Sequence, residues 1–151
     1  MAGVAYTLQA PALDGLIGRL ADYTAGRPAR LAVLADAVGA LLESSTKRRI
    51  ADEKTAPDGT RWPGWSDAYG ATRRRGQTLL VSEGDLRDSI QAYAMPGAVQ
   101  VGSNLVYAAI HQFGGEEVGM PIPARPYLGL SAADEADVAD LAEEFLRGGL
   151  E

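Results

Sequence analysis

Ile90-Gln91-Ala92-Tyr93-Ala94-Met95-Pro96-Gly97-Ala98-Val99-Gln100-Val101-Gly102 decides the fold class. Ile90, Ala92 and Ala94 alternate with polar or larger neighbours, and Val99 and Val101 alternate against Gln100 and Gly102. Period two on both sides of a Met95-Pro96-Gly97-Ala98 turn is hairpin grammar. Helical periodicity flanks it in both directions, so the expected fold is α+β. It comprises long N-terminal helices, a small antiparallel sheet with a hairpin, and an acidic C-terminal helix.

Upstream, Leu31, Leu34, Val38, Leu41, Leu42, Ser45 and Ile50 recur near a 3.5-residue period, and Pro28 stands where a first helical turn tolerates proline. One long amphipathic helix is expected from Arg30 to about Ile50. Lys47, Arg48 and Arg49 complement the negative end of its dipole, and Pro57-Asp58-Gly59 stops the chain beyond it. A shorter helix follows from Leu13, Leu16, Ile17 and Leu20, broken by Gly26 and Pro28. Residues 1–151 read as one domain, with 1–27 a peripheral arm or short helix.

Between helix and hairpin, Pro57 to Trp65 is too rich in Pro and Gly for a regular element. Its loop carries Trp62 and Trp65, which either cover a core edge or dock into a partner. Arg73-Arg74-Arg75 follows as a solvated loop or a phosphate contact, without the interleaved aromatics of a base-stacking surface. Leu79-Leu80-Val81 is a short apolar run, and Ser82-Glu83-Gly84-Asp85 turns the chain into the hairpin.

Downstream, Asn104 is the expected N-cap of a short helix through Tyr107 to Gln112, ended by Gly114 in the left-handed position. Ser131-Ala132-Ala133-Asp134 opens the last helix with a capping-box pair, and Val138, Leu141, Ala142, Phe145 and Leu146 form its apolar stripe. The block from Tyr107 to Ser131 holds the sole histidine, His111, and a loop between Gly114-Gly115 and Pro121-Ile122-Pro123. Such a layout suits an assembly loop better than a catalytic cradle.

Composition narrows the chemistry. A chain of 151 residues suffices for one core. No apolar run approaches the ~20 residues of a bilayer span, and Met1 to Ala10 lacks a secretory-signal pattern. With no cysteine and one histidine, thiolate catalysis and Cys- or His-rich metal sites are excluded. No Gly-x-Ser-x-Gly, Gly-x-x-x-x-Gly-Lys-Ser/Thr or Gly-x-Gly-x-x-Gly motif occurs, and no carboxylate pair stands out. His111 reads as a packed, hydrogen-bonded scaffold residue. No cofactor, metal or catalytic residue is expected, and the chain reads as a non-enzymatic protein that meets partners through loops.

Net charge is -6 and it has an address. Residues 131–151 carry seven carboxylates against Arg147, whereas the preceding part is balanced at 13 against 13. Separated charge favours head-to-tail or lumen-facing arrangements, and the acidic pI of about 4.8 argues against a DNA-binding accessory protein. The expected interface residues are Trp62, Trp65, Arg73, Arg74, Arg75, Phe113, Glu116, Glu117, Arg125 and Tyr127. Asp137, Asp140 and Glu144 are expected to face a lumen or tube.

Several phrases, taken in order, resemble the phage virion morphogenesis family, the tail completion proteins of Mu-like contractile-tailed phages. They are Ala56-Pro57-Asp58-Gly59-Thr60-Arg61-Trp62, Leu80 with Gly84-Asp85-Leu86-Arg87-Asp88-Ser89-Ile90, and Val101-Gly102-Ser103. Tyr107-Ala108, Ile110-His111-Gln112-Phe113-Gly114-Gly115 and Ile122-Pro123-Ala124-Arg125-Pro126-Tyr127-Leu128-Gly129-Leu130 complete the series. The resemblance covers residues 30 to 147 and departs in Trp65 and in a short loop between Gly115 and Ile122. It implies a homo-oligomeric ring, a hexamer, at the head-proximal end of the tail. Such a ring ends tail-tube growth and joins head to tail.

The implied partners are further copies of the chain, tail tube or sheath protein, and neck or connector proteins. DNA passes through without sequence-specific binding, and no membrane is involved. The implied location is the tail or neck of the virion, assembled in the host cytoplasm. A head-side neck connector or stopper ring and a virion-associated hydrolase are the alternative roles.

Overall fold

A computed structural model of the protein describes residues 4–6, 11–95 and 97–148, with residues 4–6 and Ala12 described by backbone alone. Its helices are α1 (Asp14–Thr24), α2 (Pro28–Arg48), α3 (Asp67–Gly70), α4 (Asp85–Asp88), α5 (Ala108–Phe113) and α6 (Ala132–Leu146). Strands β1 (Val4–Tyr6), β2 (Gln91–Met95) and β3 (Ala98–Ser103) form an antiparallel sheet in the order β1-β3-β2. The α+β expectation holds. The third strand, β1, was not foreseen, since three residues are too few for a period-two pattern to show.

The expected hairpin is present, and its register sets Met95 opposite Ala98 and Ala92 opposite Val101. Gly97 takes φ +72° in the turn, a conformation that costs glycine little. The sheet leans on α2 at one close approach: a Cβ on Gly39 would lie 3.1 Å from Ala92 Cβ. One turn further along α2, Glu43 Oε2 accepts the Ala92 N–H at 2.9 Å, closing a backbone donor that the strand leaves open.

Pro28 begins α2 as expected, but the helix does not end on a simple basic cap. It widens into a π-turn, in which the Lys54 N–H reaches Arg49 O at 3.0 Å, and Lys54 turns left-handed at φ +57°. The reading of Lys47, Arg48 and Arg49 as a common dipole complement therefore needs correcting. Lys47 pairs with Glu43 at 2.6 Å and Arg48 with Glu53 at 2.9 Å, both partly solvated, whereas Arg49 is buried.

The core sits at this end of α2. Ile50, Ile90 and Tyr127 have no exposed surface, and Trp62, Leu86, Val101 and Leu128 close around them. Full burial stabilises each isoleucine by about 1.5–3 kcal/mol. α6 packs along α2, and its far end meets α1 through the Tyr23 and Phe145 rings, whose centroids are 5.6 Å apart. Its capping box is present: Ser131 Oγ accepts Asp134 N–H at 3.1 Å, and Asp134 Oδ2 accepts Ser131 N–H at 2.9 Å. No helix among the described residues is long and apolar enough to cross a membrane.

Candidate functional site: a cleft, a loop and an acidic helix face

The stretch from Tyr107 to Ser131 is wired through one side chain. Gln112 Oε1 accepts the N–H groups of both Tyr127 and Leu128 at 3.0 Å, and its amide donates back to Leu128 O at 3.3 Å. Tyr127 Oη donates to Ala108 O at 2.9 Å, and burial pushes its phenol above the usual range. This sheathed segment anchors the tryptophan loop. Trp62 Nε1 donates to Pro126 O at 2.8 Å, and Arg125 donates to Pro63 O and Gly64 O, each at 2.8 Å. Two backbone carbonyls held by one planar fork fix the loop's position.

Between the two segments lies a cleft of about 740 Å³. One wall carries Trp65, Tyr69 and Arg73, with the guanidinium 4.3 Å above the Tyr69 ring. Leu80, Val81, Glu83 and Asp85 also line the cleft, and Gln77 ties Glu83 back to the arginine loop, donating to Glu83 Oε1 at 3.5 Å and accepting the Arg74 N–H at 2.9 Å. The opposite wall is Tyr107, His111 and Pro121 to Pro123. Two nitrogens in these walls, Arg73 Nε and His111 Nδ1, are buried without a hydrogen-bond partner among the described residues. Burial first, and the Arg125 charge second, hold the His111 imidazole below its ordinary pKa. It is therefore an uncharged group at neutral pH.

The loop beyond this wall is ordered by its own backbone. Gly115 N–H donates to Ile122 O at 2.8 Å and Met120 N–H to Gly115 O at 2.9 Å. Phe113, Val118 and Met120 stand 62%, 67% and 51% exposed around it, with Glu116 and Glu117 also in solvent. A Cβ on Gly115 would fall 2.7 Å from Met120 O, so Gly115→Ala must open the loop. A loss of about 1–3 kcal/mol is expected in a urea titration.

Several sequence expectations meet their places here. Trp65 and Arg73 line the cleft, half-buried, while Arg74 and Arg75 are exposed beside it. Phe113, Glu116 and Glu117 are on the exposed loop. Asp137, Asp140 and Glu144 project from one exposed face of α6. Trp62, Arg125 and Tyr127 are corrections to the interface set: all three are buried, holding the chain's own segments together. Asn104 is not the cap of α5, because Ser103 Oγ takes the Leu105 N–H at 3.1 Å and the helix begins at Ala108. Gly114 has φ +84° but an extended ψ of 171°, so it leads straight into the loop and does not close a left-handed cap. His111 is packed as expected against Tyr107, with ring centroids 5.9 Å apart, but its Nδ1 lacks the anticipated hydrogen bond.

The sequence reading missed the pair that fixes the frame. Arg49 donates to Asp134 Oδ2 and to Tyr127 O, each at 2.8 Å, and Ser45 donates to Asp134 Oδ1. Burial alone would raise the Asp134 carboxyl. Hydrogen bonds from Ser45 and Ser131, with the Arg49 charge, outweigh it and hold the group below its ordinary value. One signal was available: Arg49 lies four residues after Ser45 on the apolar stripe of α2, where a solvated cation does not belong.

No group of three or more His, Cys, Asp or Glu side chains is placed to hold a metal ion among the described residues. No solved structure matches the chain. "Putative capsid assembly protein G" of Escherichia phage Mu is 32% identical over 121 residues, covering 75% of this chain and 78% of that protein. "Mu-like prophage FluMu G protein 2" of Haemophilus influenzae is 37% identical over 87 residues, covering 56% of this chain and 63% of that protein. The model of the phage virion morphogenesis family matches residues 9–147, a span that takes in α1, the cleft, the loop and the acidic helix. With that span matched almost end to end, the chain belongs to the phage virion morphogenesis family and has a structural role in building a phage particle.

Proposed function

We propose that the chain is the subunit of a ring at the head-proximal end of a phage tail, where it ends tube growth and presents the surface that the head joins. The observation that carries this reading is the separation of unlike surfaces. The arginine-rimmed cleft and the Phe113–Met120 loop stand on one set of elements, and the acidic face of α6 on another. A ring needs two different patches per subunit related by a closing rotation, and a self-complementary dimer needs only one. The chain works by contact and not by catalysis, and DNA passes through the ring without base-specific recognition.

A second reading draws on the printed name of the phage Mu relative, a capsid assembly protein: a connector or stopper ring on the head side of the neck. Removing the gene from the phage or prophage that encodes it separates the two. Loss of a tail terminator leaves filled heads beside unjoined or overlong tails in electron micrographs. Loss of a head-side ring leaves tails of normal length and heads that leak DNA. Normal virions would refute both readings.

A further inference from the structure

We propose that the exposed acidic face of α6 docks on the Arg73–Arg75 rim of the cleft in the next copy of the chain, making the repeating contact of the ring. The inference rests on the ring reading and assigns its interface. It begins with α6. At 100° per residue, Asp137, Asp140, Glu144 and Arg147 fall within an arc of about 80° that flanks the buried Asp134, Ala142 and Phe145, with Asp137 nearest to it. All four are exposed, and Ala133 on the same line keeps the face low. Among the described residues, no salt bridge engages Asp137, Asp140 or Glu144, although Asp137 lies close enough to Arg48 to stabilise its charge and Glu143 one step aside is held by Arg19 at 2.6 Å.

The complementary surface has the opposite sign and lies on other elements, since no residue of α6 lines the cleft. Arg74 and Arg75 are exposed and engage no ion pair among the described residues. Arg73 lies flat on Tyr69 with its Nε unpartnered. Glu83, tied to the Arg74 backbone through Gln77, and Asp85 add the opposite charge to the cleft lining. The two surfaces thus carry both signs in inverse proportion. Three carboxylates followed by Arg147 on the helix face three arginines followed by two carboxylates on the cleft.

The contact is heterologous, because stripe and rim are different parts of one chain, so it propagates from copy to copy and closes only as a ring. The acidic stripe then meets protein and not DNA, in place of the lumen or tube expected from the sequence. Charge at such a contact sets register and encounter rate, and it weakens as salt is raised.

Charge reversal tests the contact. One variant carries Arg74→Glu with Arg75→Glu, a second carries Asp137→Arg with Asp140→Arg, and a third carries all four changes. All four sites are exposed, and unchanged thermal melting confirms the fold of each variant. Assembly is read as cross-linked oligomers on tails and as infectious titre. Each double variant alone should lose association by at least about tenfold. The fourfold variant should regain the ring.

Mixing the two double variants should restore rings of alternating copies, because the unchanged stripe of one meets the unchanged rim of the other, and the reversed stripe meets the reversed rim as in the fourfold variant. The proposal is overturned if either folded double variant assembles like the wild type, or if neither the fourfold variant nor the mixture regains contact. In those cases the ring reading survives on another interface. It fails separately if the gene deletion yields normal virions.

Discussion

Arg49→Ala lowers the free energy of unfolding by about 3–5 kcal/mol, measured by urea titration at neutral pH, because it strands a buried carboxylate. Asp134 loses its charge partner, while Tyr127 O and Gly129 O lose the donor that ties the 127–129 segment to the end of α2. Replacing the pair together, as Arg49→Met with Asp134→Leu, removes both charges and should recover part of the loss, since an apolar pair needs no solvation. The cap would still be missing. Losing Ser131–Asp134 capping costs about 1 kcal/mol, so recovery remains incomplete.

The same pair sets the acid limb of stability. Asp134 has a folded pKa below its unfolded value, so its stabilisation is fully present above the ordinary carboxyl value of 3.8. It is lost as pH falls through the lower folded value, where the native state must take up the proton that the unfolded state already carries. Asp134→Asn should therefore be less stable than the parent at neutral pH, and the two should converge as pH drops below that range. Parallel curves down to pH 2 would mean that the carboxylate does not carry the effect.

Much of the frame was legible because local rules and packing agree in it. The stripe Leu34 to Ile50 and the Ser131–Asp134 cap are periodic or local patterns, and the structure keeps them. The alternation across Met95-Pro96-Gly97-Ala98 likewise survives as a hairpin. Where they disagree, tertiary structure decides. Asn104 and Ser103 are comparable cap residues, yet Ser103 sits where the strand ends and takes the Leu105 N–H. The cleft could not be read at all, since its walls come from segments well separated in the chain, 64–86 and 107–125, brought together by Trp62 and Arg125 bonding to backbone carbonyls. A carbonyl acceptor leaves no trace in residue identity. The block around Tyr107 to Leu130 stood out by wording, but which of its side chains turn inward depends on Gln112, which nothing in the spacing marks.

The two tryptophans, indistinguishable as loop aromatics in the sequence, should separate by several kcal/mol. Trp62 is 6% exposed, packs in the core beside Ile50 and Tyr127, and satisfies Pro126 O with its indole N–H. Trp62→Ala removes that volume and should cost about 3–5 kcal/mol in a urea titration. Trp62→Phe keeps most of the packing but leaves the buried carbonyl unpaired, for about 1–3 kcal/mol. Trp65 only walls the cleft, in edge contact with Tyr69 at 6.2 Å, so Trp65→Ala should cost about 1 kcal/mol or less. Its effect should fall on assembly, because Tyr69 loses its edge neighbour and the Arg73 guanidinium stacked on that ring loses its fixed orientation. A Trp65→Ala chain that melts like the parent yet joins few heads to tails would place the ring contact at the cleft. One that is strongly destabilised would place Trp65 with Trp62 in the core, contrary to the geometry.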